Sequence, residues 1–567
     1  MKRNLWKLAS LACAVMMLFT LMSGWVAAEE KAEAAVVKNY QELLDQINNN
    51  GASRVLISKK YKQGGHEGEN IIPRAGETIT IASETGEPLT VTGRFDIMGE
   101  GTVIFENISV QAHPGHPALW IGSGATVAVD DLTAGKAKTD YGLPAAIVKD
   151  ARLTVGSAKG SDGKAGVGGD GIYAVGSSVV EAGTATGGNA PKGIGGSGVI
   201  AFGGAEVKVT GNAKGGDGLY AAGKGTLAGW NTQITVDGTA EDGLLLEGKK
   251  TLDPEKITNR MLLENALRSG AAEIVIDEKF KAGGDLDDEQ CWFMGAETMK
   301  LTGGAEGKNT VMDCQVRADA GTWMIEGIDI VLNTKDGLAA LQASGNAKVN
   351  MTGNLNAKGK NDGSIRAYGN AQVMLTGNDN GQLYAAENAV VEMTGDIEHT
   401  NKNYPPVYTR GSGTVRVKGN LTLAVDTNAI NNHGGTIEIT GEVIGRKNNR
   451  YPLIFSDDGT THITGPVTLT SNCEIVYNRN GGDVLIEGDV TSTATKNYAI
   501  WIDENGGSVT IKGNLTTRYT AAMIKANMLN VDGNILVESK KTIDTFKVEG
   551  SGGIKATGWI RCEPPAK

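Results

Sequence analysis

At 567 residues with 80 glycines and only 5% aromatics, the chain is longer than one hydrophobic core usually serves, and its glycine content favours an array of short β elements over a large compact α/β enzyme. Lys and Arg number 54 against 65 Asp and Glu, a formal charge of −11, which argues against nucleic acid as a partner.

The first element is a leader. Lys2, Arg3 and Lys7 precede an apolar run from Leu8 to Val26, and Val26 and Ala28 have the spacing a signal peptidase reads. We expect a cleaved secretory signal over 1–28, a short segment over 29–35 and a secreted or cell-surface protein. Ser10, Thr20, Ser23 and Gly24 dilute the run, which weighs against an uncleaved anchor, and no second apolar run of that length predicts a transmembrane segment in the mature chain. Removing 1–28 takes three basic and no acidic residues, giving 51 minus 65, or −14. Cys13 lies in the leader; Cys291, Cys314, Cys473 and Cys562 would then meet an oxidising compartment, and the absence of a CxxC or His-rich pair argues against zinc.

An amphipathic segment, Tyr40 to Asn48, reads as a short helix followed by strands. Its counterpart, Pro254 to Leu267, has Asp253 as N-cap and Pro254 at the first helical position. The pair belongs to a duplication: "LLDQINNNGASRVLISKKYKQGG" (43–65) aligns without a gap onto "LLENALRSGAAEIVIDEKFKAGG" (262–284), and "GTVIFENISV" (101–110) onto "GTWMIEGIDI" (321–330). We expect tandem domains over 36–250 and 251–567, each helix covering the open end of a strand stack, whose first coil otherwise exposes unpaired backbone.

The segment 156–225 holds 23 glycines in 70 residues. "GVGGDG" and "GIGGSG" fit the dinucleotide pattern, and "GLYAAGKGT" nearly fits a phosphate loop but has Gly225 where Ser or Thr must reach magnesium. Neither leads into a helix, so both are set aside. "AGVGGDGIY" (165–173) resembles one calcium-binding nonapeptide but does not repeat. Turn glycines in long coils are the expectation here, with Asp170, Asp217 and Asp242 as nearby carboxylates open to calcium.

Past this segment one phrase returns: "GSGTVRVKGNLT" (411–422), "NHGGTIEITGEV" (432–443), "NGGDVLIEGDVT" (480–491) and "NGGSVTIKGNLT" (505–516). The glycine after each alternating run recurs from Gly353 to Gly558 in nine intervals spanning 205 residues, about 23 each. Runs such as "VRV", "IEI" and "VTI" have the period of a strand with one buried face. Short strands between Gly, Asn and Asp turns, repeating at that interval, describe an all-β parallel β-helix. With roughly 4.8 Å per coil, the second domain is expected to form a rod on the order of 50 to 60 Å long.

"YQELLDQINNNGASRVLI" (40–57) and the coil phrase "SVTIKGNLT" resemble the right-handed parallel β-helix proteins of the pectate-lyase-like superfamily, over nearly all of 36–567 in two copies. The resemblance implies that fold; the superfamily includes lyases, hydrolases, carbohydrate-binding surface proteins and adhesins. "IWID" (500–503) is similar to the "WIDH" beside the calcium site of pectate lyases, with Glu504 replacing the histidine. The Arg-x-Pro-x-x-Arg motif of their catalytic base has no match, and the fragments "NTKDG" (333–337) and "LDD" (286–288) lack the accompanying polygalacturonase motifs. No catalytic residue is assigned.

Three further expectations come from the residues. Counting eight back from the repeat glycine gives a polar column of His433, Asp457, Asn480 and Asn505; with Asp503 these supply oxygens that suit calcium, while Asn, Asp and His also tolerate left-handed turns. Counting eleven back gives Tyr384, Tyr408 and Tyr477, interrupted by Ile430 and Ile454. The neighbouring position, Leu383, Val407, Ala429, Leu453, Val476 and Trp501, reads as inward-facing, so alternation turns the tyrosines outward, where their rings can stack on sugars. Tyr384, Tyr408, Tyr477 and Trp501 are the carbohydrate-binding candidates. Finally, Cys291 and Cys314 lie about one coil apart, and both aligned first-half positions, near Ile71 and Arg94, lack cysteine, so a disulfide is expected between them. The favoured function is polysaccharide or cell-wall glycan binding without cleavage; the alternatives are a polysaccharide lyase or glycoside hydrolase, and a structural stalk or adhesin.

Overall fold

The computed structural model describes residues 34–564, except 64–69, 139, 165, 245–255, 269–270, 283–296, 334–336, 360–362, 447–448 and 540–543. The chain is an all-β parallel solenoid, as the repeats predict. Residues 35–241 build a 13-stranded and a 7-stranded sheet; residues 273–563 build sheets of 13, 11, 8 and 3 strands. Among the described residues, no strand of the first set pairs with one of the second, so the coils form two stacks.

The alternating runs set the register. Thr414–Lys418, Thr436–Thr440 and Thr460–Thr464 pair in parallel, so that Val417, Ile439 and Ile463 form one inward column and Arg416, Glu438 and His462 an outward one. The inward residues are fully buried. Each such Val or Ile contributes roughly 1.5–3 kcal/mol of transfer free energy, which a single coil could not gain alone.

Close approach to the neighbouring coil recurs at every repeat glycine, and at some of them a positive φ is added. Gly353, Gly377, Gly395 and Gly441 have φ of 147°, 151°, 143° and 153°, and a Cβ on Gly377 would lie 1.9 Å from the carbonyl oxygen of Gly353 in the next coil. The Asn or Asp that follows bonds along the rod: the backbone N–H groups of Asn378, Asp396, Asn420 and Glu442 donate to the side chains of Asn354, Asn378, Asp396 and Asn420 at 2.7–3.1 Å.

Over 156–225 the expectation of turn glycines holds only in part: Gly176, Gly203 and Gly204 have positive φ (72°, 75° and 109°), but most of the glycines do not. Gly169, Gly188, Gly216 and Gly223 do not adopt positive φ; a Cβ on each would meet a backbone oxygen of a neighbouring segment at 1.8–1.9 Å. Gly188 donates to Gly169 O at 2.7 Å and Gly216 to Gly196 O at 2.8 Å. Here glycine serves close backbone approach. The nearby carboxylates are engaged within the protein: Asp170 by Arg268, Asp217 by the Leu244 N–H and Asp242 by Lys224.

Helix α1, Tyr40–Leu44, continues as a π-helical turn over Asp45–Asn49. Asn39 caps it by accepting the Glu42 N–H at 2.9 Å, and Asn48 bonds the edge backbone at Asn70 O (2.8 Å) and Ile72 N (3.1 Å). Helix α2, Arg260–Arg268, starts later than expected. Ile257 bridges to Ile276 as a strand residue, and Asn259 accepts the Leu262 N–H at 2.9 Å, so the N-terminal stop lies at Asn259; Asp253 and Pro254 fall outside the described residues.

The early coils of the second stack pack against the outward face of the first stack's 7-stranded sheet. On the 7-stranded sheet, Trp120, Ile147, Tyr173 and Ile200 form an outward column, and the last three join the second stack's core. Polar groups fix the contact: Lys149 pairs with Asp319 at 2.7 Å, and Arg268 takes both oxygens of Asp170 at 3.0 and 3.2 Å. These pairs are almost wholly buried, where breaking one partner is costly.

Candidate functional site

The 11-stranded sheet of the second stack presents one outward face. Its inward residues Val407, Ile430, Ile454, Val476 and Ile500 are fully buried, so alternation turns the next residue of each strand outward. Parallel register aligns Tyr384, Tyr408, Asn431, Phe455, Tyr477 and Trp501 in one column. Tyr368, His433, Tyr498 and Tyr519 join from neighbouring positions. Nine rings form an unbroken ribbon from Tyr368 to Tyr519 with centroids 5.1–6.5 Å apart, Tyr384 and Tyr408 stacked at 16°. Every ring is partly exposed.

This geometry brings the four expected aromatic residues together and corrects their register. Ile430 and Ile454 do not interrupt the column; they face the core, and Asn431 and Phe455 occupy it. Trp501 is not inward-facing but pairs with Tyr477. Counting back from the repeat glycine slipped because the distance varies: eleven residues from Tyr408 and Tyr477, ten from Asn431 and Phe455, twelve from Trp501. The inward Val or Ile immediately before Tyr408, Tyr477 and Trp501, matched by Ile454 before Phe455, was the signal that would have found Phe455.

Charged groups flank the rings. The Arg479 guanidinium lies 4.8 Å from the Phe455 centroid and 2.8 Å from Asp457, whose other contacts are His433 Nδ1 at 3.0 Å and the Asn480 amide. Burial pushes the Asp457 carboxyl up, but Arg479, Asn480 and His433 together outweigh it and hold it below the usual range. The expected polar column thus assembles as an ion-pair cluster; Asn505 contributes only its backbone carbonyl, to Gly481 N at 2.6 Å. Asn480 adopts left-handed φ (52°), and Asp458 (65°) rather than Asp457 fills that role one coil away.

Asp503 accepts from the Tyr477 hydroxyl at 3.2 Å and pairs with Lys525 at 3.1 Å, which in turn lies 5.9 Å from the Trp501 ring. Burial raises its carboxyl, and Lys525, the Glu504 backbone N–H and Tyr477 more than reverse that, so it stays ionised and suits charge pairing rather than proton delivery. Among the described residues, no group of three His, Cys, Asp or Glu could hold a metal ion. Three buried polar atoms on this face, Trp501 Nε1, Asn431 Oδ1 and Arg479 Nε, have no hydrogen-bond partner among the described residues.

At the ribbon's start a groove of about 360 Å³ runs between Arg366, Tyr368, Tyr384, Tyr404, Tyr408 and Asn431. Among the described residues, Cys314, Cys473 and Cys562 form no disulfide with one another, and Cys314 is fully buried, its thiol pushed up to about 12 by burial; its expected partner Cys291 lies outside the described residues, as do 286–288 and 334–336. Fold and face together define a parallel β-solenoid with an aromatic flank. No family model, no curated protein and no solved structure matches the chain.

Proposed function

We propose that this is a secreted or cell-surface protein of the pectate-lyase-like superfamily, a right-handed β-helix that binds a polysaccharide without cleaving it. The observation that carries the reading is the ribbon: ring after ring at near-coil spacing, matched to a polymer whose sugars also repeat. Aromatic faces supply contact area at low entropy cost, and each ring of the ribbon is partly exposed. The −11 charge favours uncharged cell-wall glycans over uronates unless calcium bridges them. Cleavage by a lyase or hydrolase is the second reading, favoured by the His433–Asp457 pair between Tyr408 and Phe455.

The test is a panel of neutral and acidic polysaccharides, with and without calcium, recording pull-down, release of reducing ends and the ultraviolet absorbance of unsaturated products. Binding without products, lost in a folded Tyr408→Ala plus Tyr477→Ala variant, is the expected result. Products would make the protein an enzyme. Neither binding nor products would leave a stalk or adhesin.

A further inference from the structure

Where the ribbon meets the first stack, a cleft of about 460 Å³ opens between Trp230, Lys149 and Ser123 on one side and Tyr368, Asn346 and Ser344 on the other. Its volume falls within the range of small-ligand sites. Tyr368 borders both this cleft and the tyrosine groove, and its ring lies 5.5 Å from Tyr384, so cleft and ribbon are continuous. Beyond Tyr384 the outward column runs through Arg366 and Gln342 to Arg317, which is 2% exposed and lies 5.5 Å from the Trp120 ring of the first stack. A polymer lying on the ribbon meets a wall there.

We infer that this cleft is an end-recognising subsite that lodges the terminal sugar of the bound chain, an inference resting on the polysaccharide reading above. The chemistry of the lining selects an uncharged, hydroxyl-bearing ring. Lys149 is engaged by Asp319, which also accepts from Ser344 at 2.7 Å and Tyr173 at 3.3 Å. Asp150, Glu297, Asp319 and Glu387 outnumber Lys149 and Lys348 around the cleft, which disfavours an anionic end group. The Trp230 indole N–H, buried beside the cleft, has no acceptor among the described residues, and a sugar hydroxyl that displaces the groups covering it supplies one. Closure at one end gives the polymer a fixed direction and makes affinity depend on a free chain end.

Indole N–H resonances of ¹⁵N-labelled protein test this, with Trp230→Phe and Trp501→Phe assigning the two signals. The probes are linear neutral hexasaccharides, uncapped or bearing a bulky cap at one end or the other. With the uncapped probe both signals shift; a cap on one of the two ends abolishes the Trp230 shift and spares that of Trp501. A Trp501 shift without any Trp230 shift overturns the cleft and leaves the ribbon reading standing. A Trp230 shift that survives both caps overturns end recognition. A Trp230 shift with Trp501 silent contradicts the ribbon reading and keeps the cleft as a sugar site. Silence of both overturns both. In calorimetry, Trp230→Phe with an unchanged melting temperature lowers hexasaccharide affinity about tenfold; unchanged affinity refutes the assignment.

Discussion

Replacing Gly377 by alanine isolates what the repeat glycine does. The new Cβ would lie 1.9 Å from the Gly353 oxygen and 2.7 Å from its carbonyl carbon, backbone atoms of the adjacent coil that cannot rotate away. At φ 151° an L-residue is also strained. The backbone contributes about 1–3 kcal/mol and forced overpacking about 1–3 more, so the expected cost is about 2–6 kcal/mol. Gly327 is the control: its φ is 64°, but a Cβ there meets nothing within 4 Å, so Gly327→Ala carries only the left-handed cost of about 1–2 kcal/mol. Because coils couple chiefly to their neighbours, the damage is local and is best read by hydrogen-exchange mass spectrometry over 353–395. Gly377→Ala should speed exchange there well beyond any change Gly327→Ala makes around its own coil. Equal effects would show that strain, not inter-coil contact, demands the glycine.

Other expected outcomes follow from buried charge and from sulfur. Burial pushes the Asp379 carboxyl up to about 6, so between roughly pH 4, where the unfolded acid ionises, and pH 6 the folded chain holds the extra proton. Stability therefore falls by about 3 kcal/mol as pH rises through that window and levels off above it; urea titrations should show this, and Asp379→Asn should flatten the profile. Asp170→Ala leaves the buried Arg268 with Glu264 alone and should cost about 3–5 kcal/mol, read as faster exchange in Arg260–Arg268; unchanged exchange would mean that apolar packing alone holds α2. Mapping of non-reduced peptides should find Cys291 joined to Cys314, and recovery of both as thiols would refute the pairing.

The repeat was legible in the sequence because a solenoid uses local signals: two-residue alternation in "VRV" and "IEI", and a glycine every coil. The outward register was less so, since the glycine used as a ruler lies ten to twelve residues beyond the strand and one residue of slack moves a side chain to the other face. Phe455 was missed for that reason, and Trp501 was turned inward. The contact between stacks was hidden differently. "IYAV" and "VIAF" are unbroken apolar runs and "AIV" before Lys149 is another, the signature of strands buried on both faces, but only the fold shows that the second stack covers Ile147, Tyr173 and Ile200. In the glycine-rich segment composition suggested turns, which Gly176, Gly203 and Gly204 do make, whereas at Gly169, Gly188, Gly216 and Gly223 the cause is backbone packed against backbone.

If successive rings bind successive sugars, affinity must grow with the length of the bound chain. Calorimetry with a neutral oligosaccharide ladder from one to ten sugars should show affinity rising with each added sugar until the ribbon from Tyr368 to Tyr519 is spanned, then reaching a plateau. Affinity independent of length, or unchanged when Tyr408 and Trp501 are both replaced by alanine in a folded variant, would contradict it.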